Sequence, residues 1–339
     1  MIFLRGLPAN SRPATIMRTT ETEASVTHQR VVVIGSYNTD MIIKTARLPR
    51  PGETVLGGTF SSGPGGKGAN QAVSAARAGA DVSFIARVGT DALGEEAVRR
   101  LKAEQVRTEL VVRDPGAPTG TAWIVVDERG ENCIVVASGA NGRLSPSDVV
   151  RGESEIASAD VVLMQLESPI DAVASALDVA ARHQVRVILN PAPALPLSLE
   201  LLARVSVITP NEVETEMLTG VKIEGEESLS RAADRLLALG IETVIITLGH
   251  RGVYVASASE RFHCPAFHVQ AVDTTAAGDV FNGCLAAFLD RSRSLREAVR
   301  ASSAAAALSV TKLGAQDSSP SREAISAFLE LHRRELVPE

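Results

Sequence analysis

The sequence is poor in aromatic residues, cysteines and long apolar runs, and each shortage excludes a class of function. Phe, Trp and Tyr make up 3% of the 339 residues, too few for the stacking platforms that bind single-stranded nucleic acid. No apolar run approaches the length of a transmembrane helix. The net charge of −6 argues against a nucleic-acid surface. We therefore expect neither a nucleic-acid nor a membrane partner.

The few cysteines indicate the redox compartment. Cys133, Cys264 and Cys284 lie far apart and match neither a C-x-x-C motif nor a zinc-ligand spacing. Disulfides are rare in reducing compartments, and an odd number cannot all pair within one chain. We expect buried thiols and a cytoplasmic location.

Residues 1–29 differ in composition from the rest of the chain. They are polar, rich in Ser, Thr and Arg, and the first twenty contain neither Asp nor Glu, as in transit peptides. The apolar stretch MIFLRGLP is too short for the core of a signal peptide. We interpret 1–29 as a disordered N-terminal extension, with a start at Met17 as an alternative, and place the domain at 30–335.

Alternating apolar runs and helical patterns predict an α/β fold. Buried strands are expected at 30–35, 82–88, 161–165, 185–189, 205–208 and 244–247. Helices are expected at 69–78, 92–104, 171–182, 211–219, 227–239, 277–290, 294–311 and 320–333. This order predicts a doubly wound, mostly parallel sheet with helices on both faces. In such sheets, ligands bind beyond the carboxyl ends of the strands.

Two pairs of strand-like segments have no helix between the partners and predict a second, smaller sheet. These segments are 41–46, 54–60, 121–126 and 132–136. A Pro-Arg-Pro-Gly-Glu turn joins the first pair, and Asp-Glu-Arg-Gly-Glu, typical of a hairpin, joins the second. We expect a small antiparallel β lid with strands near 37–60 and 120–137.

One stretch, 272–283 (VDTTAAGDVFNG), predicts an anion site. Its small residues let backbone N–H groups converge, and the following helix start adds unpaired N–H groups and a positive dipole end. A carboxylate beside an anion site, here Asp279, would repel phosphate, so its presence needs a functional reason. The expected reason is that it accepts a proton from an attacking hydroxyl. The alternative is a helix-capping aspartate. Because the helix start favours the charged form, we expect Asp279 to stay ionised at neutral pH.

The glycine-rich loop at 62–70 is ambiguous by itself. Gly63, Gly65 and Gly68 match G-x-G-x-x-G, but the first buried strand ends almost thirty residues earlier, so the dinucleotide-binding context is missing. A Walker A motif fails because Ser61 and Gly68 stand where Gly and Ser or Thr are required. A nicotinamide-dependent oxidoreductase and a catalytically silent sugar sensor remain as alternatives.

Two stretches resemble the paired signatures of the ribokinase-like, or phosphofructokinase-B-type, carbohydrate kinases: 65–72 (GGKGANQA) and 273–283 (DTTAAGDVFNG). Five more motifs resemble this family in the same order: 35–40 (GSYNTD), 164–169 (MQLESP), 190–193 (NPAP), 209–212 (TPNE) and 246–249 (ITLG). The resemblance covers about residues 30–335. It implies ATP-dependent phosphorylation of D-ribose at its 5-hydroxyl, with 2-deoxyribose, fructose or adenosine as the alternative acceptors of sibling kinases.

The resemblance also implies roles for individual residues. Asp279 would be the catalytic base, and Ala276, Ala277 and Gly278 would supply the anion hole. The sugar would contact Asn38, Asp40, Gly66, Lys67, Gly68, Ala69, Asn70, Glu167 and Asp279. The nucleotide would contact Asn211, Glu214, Thr247, Leu248, Gly249, His250, Arg251, Gly252, Gly278, Asp279 and Ser303. Ser303 departs from the His or Asn that the family often has there.

Ions and a partner subunit follow from the same resemblance. Mg²⁺ would accompany ATP near Glu214, and a monovalent cation, usually K⁺, would bind beside the anion hole. The matching cation positions are Asp273, Thr275, Ser309, Lys312, Gly314 and Ser318. A lid sheet with an apolar face and free edges needs a partner, so a homodimer through the lids is expected.

Overall fold

The computed structural model describes residues 28–290 and 293–333, which form two sheets flanked by helices. The strands are β1 (Arg30–Ile34), β2 (Asn38–Lys44), β3 (Thr59–Gly65), β4 (Asp81–Gly89), β5 (Val111–Asp114), β6 (Gly120–Val126), β7 (Asn132–Ala137), β8 (Val161–Met164), β9 (Arg186–Leu189), β10 (Val207–Ile208), β11 (Thr243–Thr247), β12 (Val253–Ser257) and β13 (Arg261–Cys264). The helices are α1 (Lys67–Arg77), α2 (Ala92–Ala103), α3 (Pro146–Arg151), α4 (Glu153–Ser158), α5 (Ile170–Arg182), α6 (Leu199–Leu202), α7 (Glu212–Thr219), α8 (Glu226–Leu237), α9 (Ala277–Phe288), α10 (Leu295–Ser309) and α11 (Arg322–Leu331).

The main sheet contains nine of the described strands, in the order β13-β12-β11-β10-β9-β8-β1-β4-β5. The pairs from β11 across to β5 are parallel. The pairs β11–β12 and β12–β13 at one edge are antiparallel. The predicted doubly wound, mostly parallel sheet is confirmed.

Burial on both faces explains the continuous apolar runs of the main strands. In β1, Val31 and Val33 join one core with α1, α2, α9, α10 and α11. Val32 and Ile34 join the opposite core with α3, α4, α5 and α8. Successive strand side chains point to opposite faces, so every position of β1 beyond Arg30 must be apolar.

The second sheet, which we call the lid sheet, has the order β3-β2-β6-β7. Its hairpin pairs β2–β3 and β6–β7 are antiparallel, as expected, and the central pair β2–β6 is parallel. The strand predicted at 54–60 was wrong, because β3 begins at Thr59 and continues through the glycine-rich segment. Gly57 and Gly58 just before it have φ values of 93° and 103°, which a regular strand does not allow.

The observed position of β3 excludes a dinucleotide-binding site at the glycine-rich loop. Gly63 and Gly65 lie within β3 of the lid sheet, and Gly68 lies in α1. A dinucleotide fingerprint connects the first buried strand of the main sheet to its helix, so these glycines do not form one.

Several smaller features were not predicted. The strands β5, β12 and β13 and the short helices α3, α4 and α6 gave no distinct signal. The prediction that all three thiols are buried was wrong for Cys133, which lies exposed on β7, while Cys264 and Cys284 are buried.

The chain ends bear on the predicted domain limits. Of the extension predicted at 1–29, residues 1–27 lie outside the described residues, as do 334–339. The side chain of Gln29 donates to the Leu289 carbonyl oxygen, 3.2 Å away, so Gln29 contacts the fold. No helix within 28–290 and 293–333 has the length and apolar character needed to cross a bilayer.

Candidate active site

Asp279 lies in the first turn of α9, where its buried carboxylate faces α1. Asn70 Nδ2 donates to Asp279 Oδ2, and Gln71 Nε2 donates to Oδ1, both at 3.0 Å. The close approach of α1 and α9 depends on Gly283, because a Cβ there would lie 2.4 Å from the Gln71 carbonyl oxygen. The two kinase-like signature stretches are thus joined at one carboxylate.

The environment of Asp279 corrects one expectation. Burial raises the pKa of Asp279, whereas the position at a helix start led us to expect a readily ionised carboxyl. The nearby Lys67 ammonium and the Asn70 and Gln71 amides oppose that rise, and Glu167 adds to it. A carboxylate with a raised pKa is a stronger proton acceptor, which suits a general base.

The turn before α9 has the strained backbone of a functional site. Ala276 has φ of 60°, in the left-handed region that residues with a Cβ seldom occupy. The Ala277 N–H is directed to the Thr274 carbonyl oxygen at 3.3 Å, so this member of the predicted anion hole already has a weak partner. Gly278 is exposed, and its N–H belongs to the first helical turn, where partners within the helix are lacking.

The residues predicted to bind sugar come from both sheets. Glu167, beyond β8, accepts at Oε2 from Ser36 Oγ (2.6 Å) and from the Lys67 N–H (3.0 Å). Asn38 begins β2, and its Oδ1 accepts from Asn141 Nδ2 at 2.8 Å. The structure therefore gathers the start of the lid sheet, the start of α1 and the end of β8 around one space.

Asp40 is a second carboxyl of this group whose pKa is raised. It lies on β2 opposite Gly63, and a Cβ at Gly65 would lie 2.3 Å from its carboxylate oxygens. Burial, and then the charges of Glu167 and Asp279, raise the pKa of Asp40 to about 7. Asp40 is part of β2, which excludes an ordinary turn aspartate at this position.

The residues predicted to bind nucleotide form two adjoining segments. Asn211 and Glu214 cap α7 reciprocally, with Asn211 N donating to Glu214 Oε2 at 2.8 Å and Glu214 N to Asn211 Oδ1 at 2.9 Å. Thr247 N donates to the Pro210 carbonyl oxygen, which brings 247–252 beside this cap. Glu214 is buried, and burial raises its pKa while Asn211 and Lys67 lower it.

The turn after β11 and Ser303 lie at the far end of this region. Leu248 N donates to the Gly252 carbonyl oxygen, His250 and Arg251 are exposed, and Arg251 pairs with Glu212 at 2.5 Å. Ser303 Oγ is a buried atom that makes no hydrogen bond of good geometry within the described part of the chain. It lies beside the Cys264 thiol, and the Cys264 backbone is in contact with Gly252.

The positions predicted for a monovalent cation lie on two connected segments. Asp273 accepts from the Thr275 N–H (2.9 Å) and the Gly314 N–H (3.0 Å). Ser309 and Ser318 are buried, and their hydroxyls donate to carbonyls of the chain just before them. Hydroxyl, carboxylate and carbonyl oxygens fit a hard cation. No group of three or more His, Cys, Asp and Glu able to hold a metal occurs in the described part of the chain.

Sequence reasoning missed the buried polar residues that contact the predicted site residues or their direct partners. They are Ser36, Gln71, Asn141, Gln165, Asn190 and Gln316. Most of them are buried polar residues at strand ends or in an alanine-rich helix, where their type alone suggests solvent exposure. The available signal was a position inside a motif that resembles the family, which holds for four of them: Ser36, Gln71, Gln165 and Asn190.

Comparison with known proteins decides the family. The model of the pfkB family of carbohydrate kinases matches residues 28–322. The chain belongs to this family. The predicted resemblance is therefore confirmed, and with it the expectation of a kinase acting on a sugar.

Relatives of known function agree with this assignment. A ribokinase from Haemophilus influenzae is 46% identical over 300 residues, which cover 88% of this chain and 98% of that protein. A deoxyribokinase from Salmonella typhi is 36% identical and covers 89% of this chain and 99% of that protein. The Arabidopsis thaliana ribokinase structure complexed with ribose and ATP is 32% identical, with a TM-score of 0.84, and covers 90% of this chain and 99% of that one.

Proposed function

We propose that this kinase transfers the γ-phosphoryl group of ATP to the 5-hydroxyl of D-ribose. The single observation that carries the proposal is the position of Asp279, held by α1 between the predicted sugar residues and the predicted phosphate-binding turn. A kinase of this kind needs a base at the acceptor hydroxyl and fixed donors around the phosphoryl group.

The chemical step assigns one task to each group. Asp279 accepts the proton of the attacking hydroxyl, and the hydroxyl oxygen bonds to the γ-phosphorus while the bond from that phosphorus to the β–γ bridging oxygen breaks. The N–H groups of 276–279 hold the oxygens of the transferred group. Asn38, Asp40 and Glu167 hold the remaining sugar hydroxyls, and the turn at 247–252 borders the nucleotide.

Ions complete the charge balance of this proposal. Mg²⁺, bound with ATP near Glu214, would supply positive charge to the phosphate oxygens. Within the chain, Lys67 supplies the cationic charge that acts on Asp279, and the Asp273 carboxylate joins the two segments of the proposed K⁺ site.

We also infer a homodimer through the lid sheet. Five large apolar residues of the lid sheet have about half or more of their surface exposed: Phe60, Trp123, Ile134, Val135 and Val136. The pairing register places Trp123 and Val135 on one face and Val136 and Asp40 on the other, so both faces carry apolar side chains. A second copy that covers this surface would also enclose the sugar. The cytoplasmic location stays a prediction.

The decisive experiment is a coupled assay of ADP release with ribose, 2-deoxyribose, fructose and adenosine, each with and without K⁺. Ribose should give the highest kcat/KM. The Salmonella typhi relative makes 2-deoxyribose the second candidate, and a higher kcat/KM for it would replace ribose as the acceptor. Release of ADP that no sugar or nucleoside stimulates would contradict the proposal altogether.

A further inference from the structure

Each oxygen of Asp279 is held by a side-chain amide, and each amide has a second buried partner. Asn70 donates to Asp279 Oδ2, and Asn70 Oδ1 accepts from Gln316 Nε2 at 3.2 Å. Gln71 donates to Asp279 Oδ1, and Gln71 Oε1 accepts from Gln165 Nε2 at 2.6 Å. Two glutamines from distant parts of the chain therefore each contact one of the two amides that hold the carboxylate.

An amide has a donor end and an acceptor end of nearly the same shape, so packing alone does not fix which end faces the carboxylate. A flipped Asn70 or Gln71 would turn its oxygen towards Asp279 and repel the charge. The flip would also direct an NH₂ group at the NH₂ of Gln316 or Gln165, which has no lone pair to accept it. The two outer glutamines therefore favour the observed orientation of the inner amides, and for Gln71 they act together with Asn190, whose Oδ1 accepts from Gln71 Nε2 at 3.1 Å.

We propose that Gln165 and Gln316 are positioning residues of the phosphoryl-transfer reaction, which hold Asn70 and Gln71 in the orientation that donates to Asp279. The inference rests on the proposed function of Asp279 as the base. Neither glutamine is a catalytic residue in this account, because each acts through another side chain.

The surroundings of Gln165 support a role beyond folding. Gln165 is 1% exposed, and no donor in the described part of the chain reaches its Oε1. A buried acceptor without a partner costs folding free energy and calls for an explanation. Donation of Gln165 Nε2 to Gln71 keeps the NH₂ group of Gln71 turned towards Asp279, and it directs Gln165 Oε1 away from the Gln71 amide.

The backbone of Gln316 is fixed by hydrogen bonds from a charged side chain of α1. Arg77 Nη1 donates to the backbone oxygens of Gln316 and Ser319, both at 2.8 Å, and Arg77 is itself paired with Glu104. This fastens the segment after α10 to α1, so the Gln316 side chain meets Asn70 from a fixed backbone. Ser319 makes a parallel contact to α1 through Ser74, 3.0 Å away, and Ser74 Oγ donates to the backbone oxygen of Asn70 but not to its side-chain amide.

The charged groups around Asp279 are not altered by this proposal. They are Lys67 from α1, Glu167 beyond β8, Asp40 from β2 and Glu214 from α7. Substitutions of Gln165 and Gln316 remove no charge, so any change in the titration of Asp279 reports on the amides.

The test uses Gln165→Met and Gln316→Met, which keep an unbranched side chain but lose the donor, with Ser319→Ala as the matched control. We expect kcat to fall about 10- to 100-fold and KM for sugar to change less than about threefold. The acidic limb of the kcat profile should move up by about half to one pH unit, because Asp279 loses a donor that lowers its pKa. Ser319→Ala should leave both unchanged, and an unmoved acidic limb in both methionine variants would overturn the proposal.

A second measurement does not depend on activity and separates this inference from the proposed function. Asp279 has a pKa raised by folding, so its ionisation opposes folding above that pKa. Loss of a donor should therefore destabilise the methionine variants more at pH 8 than at pH 5. In the Asp279→Asn background this pH dependence should vanish. Equal destabilisation at both pH values would show a purely structural role, even if the wild-type protein phosphorylated no sugar.

Discussion

The two sheets of this protein differ in how far their apolar side chains are buried. Every strand residue of β8 in the main sheet is buried, whereas every residue of β7 in the lid sheet is exposed. The main sheet is completed by helices of its own chain, but the lid sheet is not covered by any described element in the same way. The proposed site joins the two, since Asp279 lies on α9, a helix packed on the main sheet, and Asp40 lies on β2 of the lid sheet. We therefore expect substitutions in the main body to affect chemistry and folding, and substitutions in the lid to affect sugar binding and association.

The largest effect should come from Asp279→Asn in the main body. The substitution keeps the size of the side chain but removes the proton acceptor, so kcat should fall about 10²- to 10⁴-fold. Dissociation constants for sugar and ATP should stay within a few-fold, as measured by calorimetry. Turnover near the wild-type rate would exclude Asp279 as the base, and loss of sugar binding alone would assign it to recognition.

The second effect concerns packing, and compares Leu163→Ala in β8 with Val135→Ala in β7. Leu163 is fully buried in the core of the main sheet, and Val135 is 63% exposed in the lid. Urea unfolding should show a loss of about 2–5 kcal/mol for Leu163→Ala and less than about 1 kcal/mol for Val135→Ala at low protein concentration. Similar losses in the two variants would mean that the lid is packed as tightly as the core.

The same contrast explains what the sequence could predict. Burial on both faces produces continuous apolar runs, so β1, β4, β8, β9 and β11 were predicted with small errors in their limits. The limits of β3 were predicted wrongly because its residues 61–65 are Ser, Gly and Pro, which are typical of a loop. Its strand conformation comes from pairing with β2, a contact between segments that local composition does not encode.

The candidate site was predictable to a similar extent. Motif residues such as Asn38, Asp40, Asn70, Glu167 and Asp279 do meet in space. The buried amides could not be foreseen, because a glutamine in an alanine-rich helix has the same sequence signature whether it faces water or a carboxylate. The raised pKa of Asp279 escaped prediction for the same reason, since the helix start is visible in sequence and the depth of burial is not.

The third effect tests whether a second copy covers the lid. Ile134 is 53% exposed, and the pairing register aligns it with Ile124 and Ile42 in one row across the sheet. Ile134→Lys should weaken association by at least about tenfold, because a charge would be buried in an apolar interface. Sedimentation velocity over a range of concentrations would measure this. Leu199→Lys, at an exposed leucine of α6, is the control and should not change association.

If the wild-type protein is monomeric at all concentrations, the proposed dimer is wrong, and the comparison of Ile134→Lys with Leu199→Lys has no basis. Dimers that withstand Ile134→Lys but dissociate on Trp123→Lys would instead assign the interface to the opposite face of the lid sheet.

The smallest effect is the pH dependence of sugar binding through Asp40. Burial and two neighbouring carboxylates raise the pKa of Asp40 to about 7, so this group changes from mostly protonated to mostly ionised between pH 6 and 8. Only the ionised carboxylate accepts hydrogen bonds from sugar hydroxyls at both oxygens. We expect ribose, without nucleotide, to bind about five- to tenfold more tightly at pH 8 than at pH 6, by calorimetry.

Asp40→Asn separates this titration from that of Asp279. The variant should bind ribose weakly at both pH values, with less than about a twofold difference between them. The sign for stability is opposite to that for binding: the folded pKa exceeds the unfolded one, so wild-type stability should fall as pH rises from about 4 to about 7. Asp40→Asn should show a smaller decline, because the raised pKa of Asp279 still contributes to it. If the variant kept the wild-type pH dependence of ribose binding, the titrating group would belong to the main body of the site, and the lid would contribute shape but no charge.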